Sequence, residues 1–168
     1  MTKSRFSLRW LIRRDLPEIC EIENSSFSDP WEMDDFIAAV RDRNIIGMTV
    51  EDGEFRVAGY IIYELHKFHL EILNVAVHPE CRRDGVGRMV IERLADKLSL
   101  QRRTRLELSV RETNLTAQLF FRATGFLSDG IERNPYPDSD EDAYRMVFDI
   151  RQRELDVATL GRRNLFGE

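Results

Sequence analysis

Hydrophobic and polar positions alternate along this chain in blocks that change period. Phe6 to Ile12 alternates loosely and predicts a first strand. Asp15-Leu16-Pro17-Glu18 predicts a helix start, with Asp15 as cap, Pro17 in the first turn and Glu18 three residues on. Leu16, Ile19, Cys20, Ile22 and Phe27 then fit one helical face, and Ser28-Asp29-Pro30-Trp31 breaks it. A second helix is predicted over Glu32 to Arg41, with Met33, Phe36, Ile37 and Val40 inward. Ile45 to Val50 and Phe55 to Glu64 read as paired strands joined by Glu51-Asp52-Gly53-Glu54, whose Asp-Gly step is a hairpin signal. Leu70 to Val77 is a nearly continuous apolar run, the pattern of a strand covered on both faces.

Val86 to Leu100 reads as an amphipathic helix with Val90, Ile91, Leu94, Ala95 and Leu98 inward. Arg105 to Val110 predicts a strand. Asn114 caps a helix through Ala123 that stops at Gly125. Phe126 onward reads as a strand, Asn134 to Asp142 as a polar loop, and Ala143 to Ile150 as a last strand. The order is β, α, α, β, β, β, α, β, α, β, β, with no internal repeat. One domain is expected over residues 5–150, and residues 151–168 form a tail that is either a short amphipathic helix or loose.

The 168 residues suffice for one domain with a real core. No apolar run approaches the ~20 residues of a membrane span, and the N-terminus lacks the apolar centre of a signal peptide. Cys20 and Cys81 make neither a disulfide scaffold nor a metal cluster. The expectation is therefore a cytoplasmic protein with no membrane partner and no metal. The net charge of −5 argues against a nucleic-acid partner. It suits a basic or amine-bearing one.

Chemistry concentrates between the run ending at Val77 and the helix beginning at Val86. Arg82-Arg83-Asp84-Gly85-Val86-Gly87-Arg88 places glycines and cations between a strand and a helix N-terminus. Glycines let the backbone turn tightly, and unpaired helix N–H groups with the positive dipole end favour a phosphate or pyrophosphate. A nucleotide triphosphatase loop and a Gly-x-Gly-x-x-Gly fingerprint are both absent. The loop pattern Arg82-x-x-Gly85-x-Gly87 resembles the acetyl-CoA pyrophosphate loop of the GNAT acetyltransferase superfamily. Taken with Asn74-Val75-Ala76-Val77-x-Pro79, Val110-Arg111-x-x-Asn114, Gly125-Phe126, Arg133-Asn134-x-Tyr136-Pro137 and Glu141-Asp142-Ala143, the chain from about Leu8 to Phe148 resembles the RimI-like branch.

The resemblance implies an α/β GNAT fold, a mixed and mostly antiparallel twisted sheet of about seven strands flanked by about four helices. It implies acetyl transfer from acetyl-CoA, a cosubstrate, to a primary amine by direct attack in a ternary complex. A protein or peptide N-terminal amine is the first acceptor class and a polyamine the second; a domain that binds acyl-CoA without turnover is the non-enzyme alternative. Monomer and homodimer stay open. Val75, Ala76 and Val77 would lie beside the pantetheine arm. Arg82, Arg83, Asp84, Gly85, Val86, Gly87 and Arg88 would hold the pyrophosphate, with Asn114 and Phe121 also at the cofactor.

The chain departs from that pattern at both proton-handling positions. The family's glutamate base corresponds to Ser109 and its tyrosine acid to Phe121. An α-amine with a pKa near ~8 is partly neutral already, and a thiolate near ~8.5 leaves without a strong acid, so activity survives in principle. Glu107, on the same strand face as Ser109 about 7 Å away, Glu23 on the first helix, and Glu71 are replacement carboxylates. For any one of them the reading as a surface or salt-bridged acid outweighs the catalytic one. Tyr136 is a candidate acid or positioning residue, or an aromatic lid. His66, His69 and His78 read as loop or solvated residues, and Cys81 as no nucleophile. The acidic run Asp138 to Asp142 reads as a solvated turn that favours a cationic acceptor if it borders the groove, and Trp31 as a groove or core aromatic.

Overall fold

The structure, a computed structural model, describes residues 5–54, 56–137 and 139–153. The expected helix or tail over 151–168 falls almost wholly outside them. The fold is mixed α/β, with seven strands in a mostly antiparallel sheet and four helices. In chain order these are β1 Ser7–Trp10, α1 Leu16–Ser26, α2 Met33–Arg41, β2 Ile45–Glu51, β3 Val57–Leu65 and β4 His69–Val77. Then come α3 Val86–Ala95, β5 Arg105–Arg111, α4 Leu115–Ala123, β6 Leu127–Glu132 and β7 Ala143–Asp149. The element order is the one the periodicity predicts.

The chain divides into two compact units, Met1–His66 with Glu71–Asp96, and Lys67–Leu70 with Lys97–Glu168. In the first unit the strands run in the order β1, β2, β3, β4. β1 and β2 are antiparallel with Leu8 opposite Val50, and β2 and β3 are antiparallel with Met48 opposite Ile61. β3 is the strand covered on both faces: Val57 through Tyr63 are all buried. β4 instead alternates, with Ile72, Asn74 and Ala76 buried while Leu73 is exposed and Val75 and Val77 are half-buried. The continuous apolar run at 70–77 therefore marks a strand with one partly open face. Leu16, Ile19, Ile22, Phe36, Tyr60, Ile62 and Ala76 join α1, α2, β3 and β4 in one core.

Three local expectations are corrected. Asp15 stands at the N-cap of α1 but makes no side-chain capping bond; its carboxylate accepts from Arg9 Nη1 and Nη2, both at 2.7 Å, from the Ile12 N–H at 2.9 Å and from Thr49 Oγ1 at 3.2 Å. Glu18 likewise leaves its helix to accept from the Val57 N–H at 2.9 Å. In α2 the buried positions are Phe36 and Ala39, while Met33 and Val40 are each 37% exposed. The small Ala39 side chain lets the helix backbone approach the core, which turns the larger residues aside. α3 stops at Ala95, short of Leu100, because the chain turns back through Ser99 N–H to Arg103 O at 2.8 Å to reach β5.

In the second unit β7 lies between β5 and β6 and is antiparallel to both. One face of this sheet carries Leu106, Leu108, Val110, Met146 and Phe148 inward. Phe121 of α4 meets Phe126 edge-on at 5.2 Å, and Phe126 meets Phe148 at 5.6 Å. Gly125 ends α4 at φ +105° as the pattern predicts. A Cβ there would lie 3.1 Å from the Phe148 ring, so glycine is required by both conformation and space.

Candidate active site

β4 ends at Val77, and the backbone holds the next stretch in place through His78 N–H to Ala58 O at 2.7 Å. Pro79–Cys81 forms a single 3-10 turn in which His78 Nδ1 accepts from the Glu80 N–H at 3.1 Å. Gly59 of β3 makes this close approach possible: a Cβ there would sit 3.0 Å from Ala76 O and 3.1 Å from Val86 Cγ1. The loop then passes through left-handed backbone at Arg83 (φ 67°) and Gly85 (φ 83°) before α3 begins.

Gly85 is the N-cap of α3, without a side-chain capping bond and with no acid in the first turn. The first N–H groups of a helix have no intrahelical partner, so this end is chemically suited to an anion. A Cβ on Gly85 would meet nothing within 4 Å. Arg83 and Arg88 are exposed along the same segment. Asp84, next to Gly85, pairs with Arg5 at 3.5 Å. Arg82 braces the loop, donating through Nε to Val77 O at 3.2 Å and through Nη2 to Ser26 Oγ at 3.0 Å. Val75 and Val77 share the half-buried face of β4, and Ala76 faces the core.

Glu23 is 1% exposed. Its Oε1 accepts from the Trp31 N–H at 2.9 Å. Its Oε2 accepts from the Tyr60 hydroxyl and from Asn74 Nδ2, the latter at 2.9 Å. Burial and the adjoining Glu23 charge push the Tyr60 hydroxyl well above its ordinary value. Trp31 packs its ring 5.2 Å from Phe36. Cys81 is buried, and that burial raises its thiol.

In the second unit Asn114 caps α4 as expected, its Oδ1 accepting from the Ala117 N–H at 3.1 Å. Phe121 is 4% exposed and belongs to the aromatic core. Tyr136 lies under the Arg111 guanidinium, 3.7 Å from carbon to ring centroid. Burial raises its hydroxyl, opposed by the Arg111 charge. Glu107 pairs with His69 Nε2 at 3.0 Å, Arg105 Nε at 3.8 Å and Arg145 Nη2 at 4.0 Å. Ser109 donates to Glu132 Oε1 at 2.9 Å and accepts from Arg145 Nη1 at 3.0 Å. Glu132 is absent from the sequence reading, because only the pairing of β5 and β6 with β7 brings it to Ser109.

Two surface readings change. His69 faces Glu107, and His66 Nε2 lies 2.5 Å from Glu64 Oε1, so these histidines do pair with acids. In the run ending at Asp142, Asp138 lies outside the described residues, while Glu141 and Asp142 are bonded to their neighbours. Glu141 accepts from the Thr113 hydroxyl and N–H and from Arg111, which hold its carboxyl below the usual range. Asp142 accepts from Arg133 Nη1 at 2.9 Å and from the Asn134 N–H at 2.8 Å. Among the described residues no helix is long and apolar enough to cross a membrane.

Comparison with known proteins places this arrangement. Residues 13–126 match the Acetyltransferase (GNAT) family. The chain is 32% identical over 139 residues to the ribosomal protein bS18-alanine N-acetyltransferase of Salmonella typhimurium, covering 81% of this chain and 92% of that protein. It is 29% identical over 150 residues to a Bacillus subtilis protein given the same name as putative, covering 89% and 99%. The crystal structure of the Escherichia coli ribosomal-protein-S18-alanine N-acetyltransferase superposes with a TM-score of 0.75 at 28% identity, over 86% of this chain and 94% of that one.

Proposed function

The chain belongs to the GNAT acetyltransferase family, and on that footing we propose that it moves the acetyl group of acetyl-CoA to the N-terminal amine of a protein or peptide. The observation that carries the cofactor half is the turn at Gly85, left-handed, open on its Cβ side and leading into an acid-free helix end. In this reading the N–H groups from Gly85 to Arg88 take the pyrophosphate, with Arg83 and Arg88 supplying charge. Arg82 and Asp84 shape the loop through Ser26 and Arg5. Val75, Ala76 and Val77 run beside the pantetheine arm.

The amine attacks the thioester carbonyl directly, and the thiolate departs. A thiol near ~8.5 leaves without a strong acid, which accommodates the buried phenyl ring of Phe121 where a phenol would otherwise stand. Glu23 and Glu107 are held by bonds to their neighbours, so we assign them to shaping their surroundings. Tyr136, pinned by Arg111, positions the acceptor. The relatives' names give the alanine terminus of a ribosomal protein, which makes an alanine-initiated peptide the first acceptor to try. Work in the cytoplasm is part of this proposal.

CoA thiol release from acetyl-CoA, with N-terminal peptides, lysine peptides and polyamines as acceptors, tests it. Release that depends on the N-terminal peptide supports the reading, and polyamine-dependent release alone would replace it. Ser109 and Phe121 favour one other reading, a domain that binds acetyl-CoA without turnover. Tight acetyl-CoA binding with no release across the panel would select that one.

A further inference from the structure

The sheet face opposite the aromatic core of the second unit carries a polar row built from three strands. Glu107 and Ser109 leave β5 on this face, and Arg145 stands opposite Ser109 on β7. Glu132 reaches over from β6. Ser109 Oγ donates to Glu132 Oε1 at 2.9 Å and accepts from Arg145 Nη1 at 3.0 Å. A serine hydroxyl has one proton and two lone pairs, so one lone pair remains for an incoming donor. Ser109 is exposed, and an amine can reach it.

The two carboxylates of this row differ in access. The Glu107 side chain is 15% exposed and has His69, Arg105 and Arg145 around it. The Glu132 side chain is 42% exposed. Its contacts to Ser109 and to Arg145 Nε, the latter at 3.6 Å, both fall on Oε1. Among the described residues, the charged groups that face the pair are Arg145 from β7 and Glu107 from β5, with His69 and Arg105 beyond Glu107.

We propose that Ser109 and Glu132 form the proton-accepting pair for the acceptor amine, an inference that rests on the acetyltransferase reading. The ammonium gives one proton to Ser109 Oγ as Ser109 passes its own to Glu132 Oε1. One N–H bond breaks, the hydroxyl exchanges its proton, and one O–H bond forms on the carboxylate. Nitrogen keeps the electron pair and attacks the acetyl carbonyl. The second amine proton goes to the departing CoA thiolate, and Glu132 returns its proton to water. Ser109 touches the amine; Glu132 acts through it.

The test compares Glu132→Gln, Ser109→Ala and the double variant Ser109→Glu with Glu132→Gln against wild type. Acetyl transfer to an alanine-initiated peptide is followed from about pH 6 to about pH 9.5, across the titration of an α-amine. Acetyl-CoA affinity is measured by calorimetry in parallel. Glu132→Gln is expected to lower kcat/KM for the peptide about 100-fold near neutrality. The deficit should shrink at high pH, where the amine is already neutral, and acetyl-CoA affinity should hold. The double variant, which moves the carboxylate onto β5, is expected to recover much of the loss. A wild-type pH profile in Glu132→Gln, or a loss that is equal at every pH, overturns the pair. Wild-type protein that releases no CoA with any acceptor overturns the acetyltransferase reading itself, and the pair falls with it.

Discussion

Asn74 on β4 donates through Nδ2 to the carboxylate of Glu23 on α1, 51 positions earlier, at 2.9 Å. The same carboxylate accepts from Tyr60 and from the Trp31 backbone, so three donors, from two strands and the loop before α2, share one buried acceptor. Removing it strands them all. Glu23→Ala is expected to cost about 3 kcal/mol of stability. Glu23→Gln, which turns an NH2 toward donors, should cost about 1–2 kcal/mol. Urea unfolding measures both, and acetyl transfer per folded molecule should change little. A large rate loss in Glu23→Gln at undiminished stability would mean the carboxylate handles protons.

At Gly85 the prediction concerns affinity. Gly85→Asp forces a side chain into left-handed backbone and puts a negative charge at the end of α3. Acetyl-CoA binding by calorimetry should weaken at least about 100-fold, equivalent to roughly 2.7 kcal/mol. Gly85→Ala isolates the backbone part, expected at about 1 kcal/mol of stability, since its Cβ meets nothing. Retained affinity in Gly85→Asp would remove the loop from the cofactor.

Arg9 and Asp15 set an acid limit. Burial pushes the Asp15 carboxyl up, but the Arg9 and Ile12 hydrogen bonds and the Arg9 charge outweigh it and leave it below its ordinary value. A carboxyl lowered by folding contributes stability above its unfolded pKa of about 3.9, and that contribution fades as pH falls through the lower folded value. Stability should therefore drop steadily below about pH 4, and Asp15→Asn should flatten that slope while lowering stability near neutrality. Arg9→Ala, which strands a carboxylate that is 4% exposed, should cost about 3 kcal/mol near neutrality. Urea midpoints against pH decide it; an Asp15→Asn curve parallel to wild type would assign the acid limit to other groups.

Arg82 links the loop to the end of α1 through Ser26 and to β4 through Val77. Loss of that brace should loosen the loop without touching the amine. Arg82→Ala is expected to raise KM for acetyl-CoA by about 5–10-fold, roughly 1–1.4 kcal/mol, and to leave kcat within about twofold. Ser26→Ala, which removes one of the two contacts, should give a smaller effect in the same direction. Equal loss of kcat in both would point to a role in the chemistry.

The element order, the Gly85 loop, the Asn114 cap and the Gly125 stop were all legible, because each rests on neighbours a few residues away. What sequence could not reach depends on distant partners. Asp15 and Glu18 look like helix-start residues, yet Arg9, Thr49 and Val57 outcompete the helix end for their oxygens. The apolar run at 70–77 misleads because Leu73 and Val75 are apolar on a face that is not closed. Glu132 has no local signature at all; strand register brings it to Ser109.

β6 gives the second unit a rim. Its residues are exposed from Leu127 to Ile131, and Leu127 and Ile131 show 61% and 51% of their surface. Such a strand is a template on which stray chains polymerise. Here the pairing with β7 slips between Ser128 and Ile131, and Gly130 sits at φ +133°. The slip bends the rim away from the straight line a foreign strand needs, and Asp129 adds a charge at the bend. The irregularity just before Glu132 thus also guards the chain against fibre growth. Straightening β6 by removing one residue of the bulge would put solubility and the reach of Glu132 at risk together.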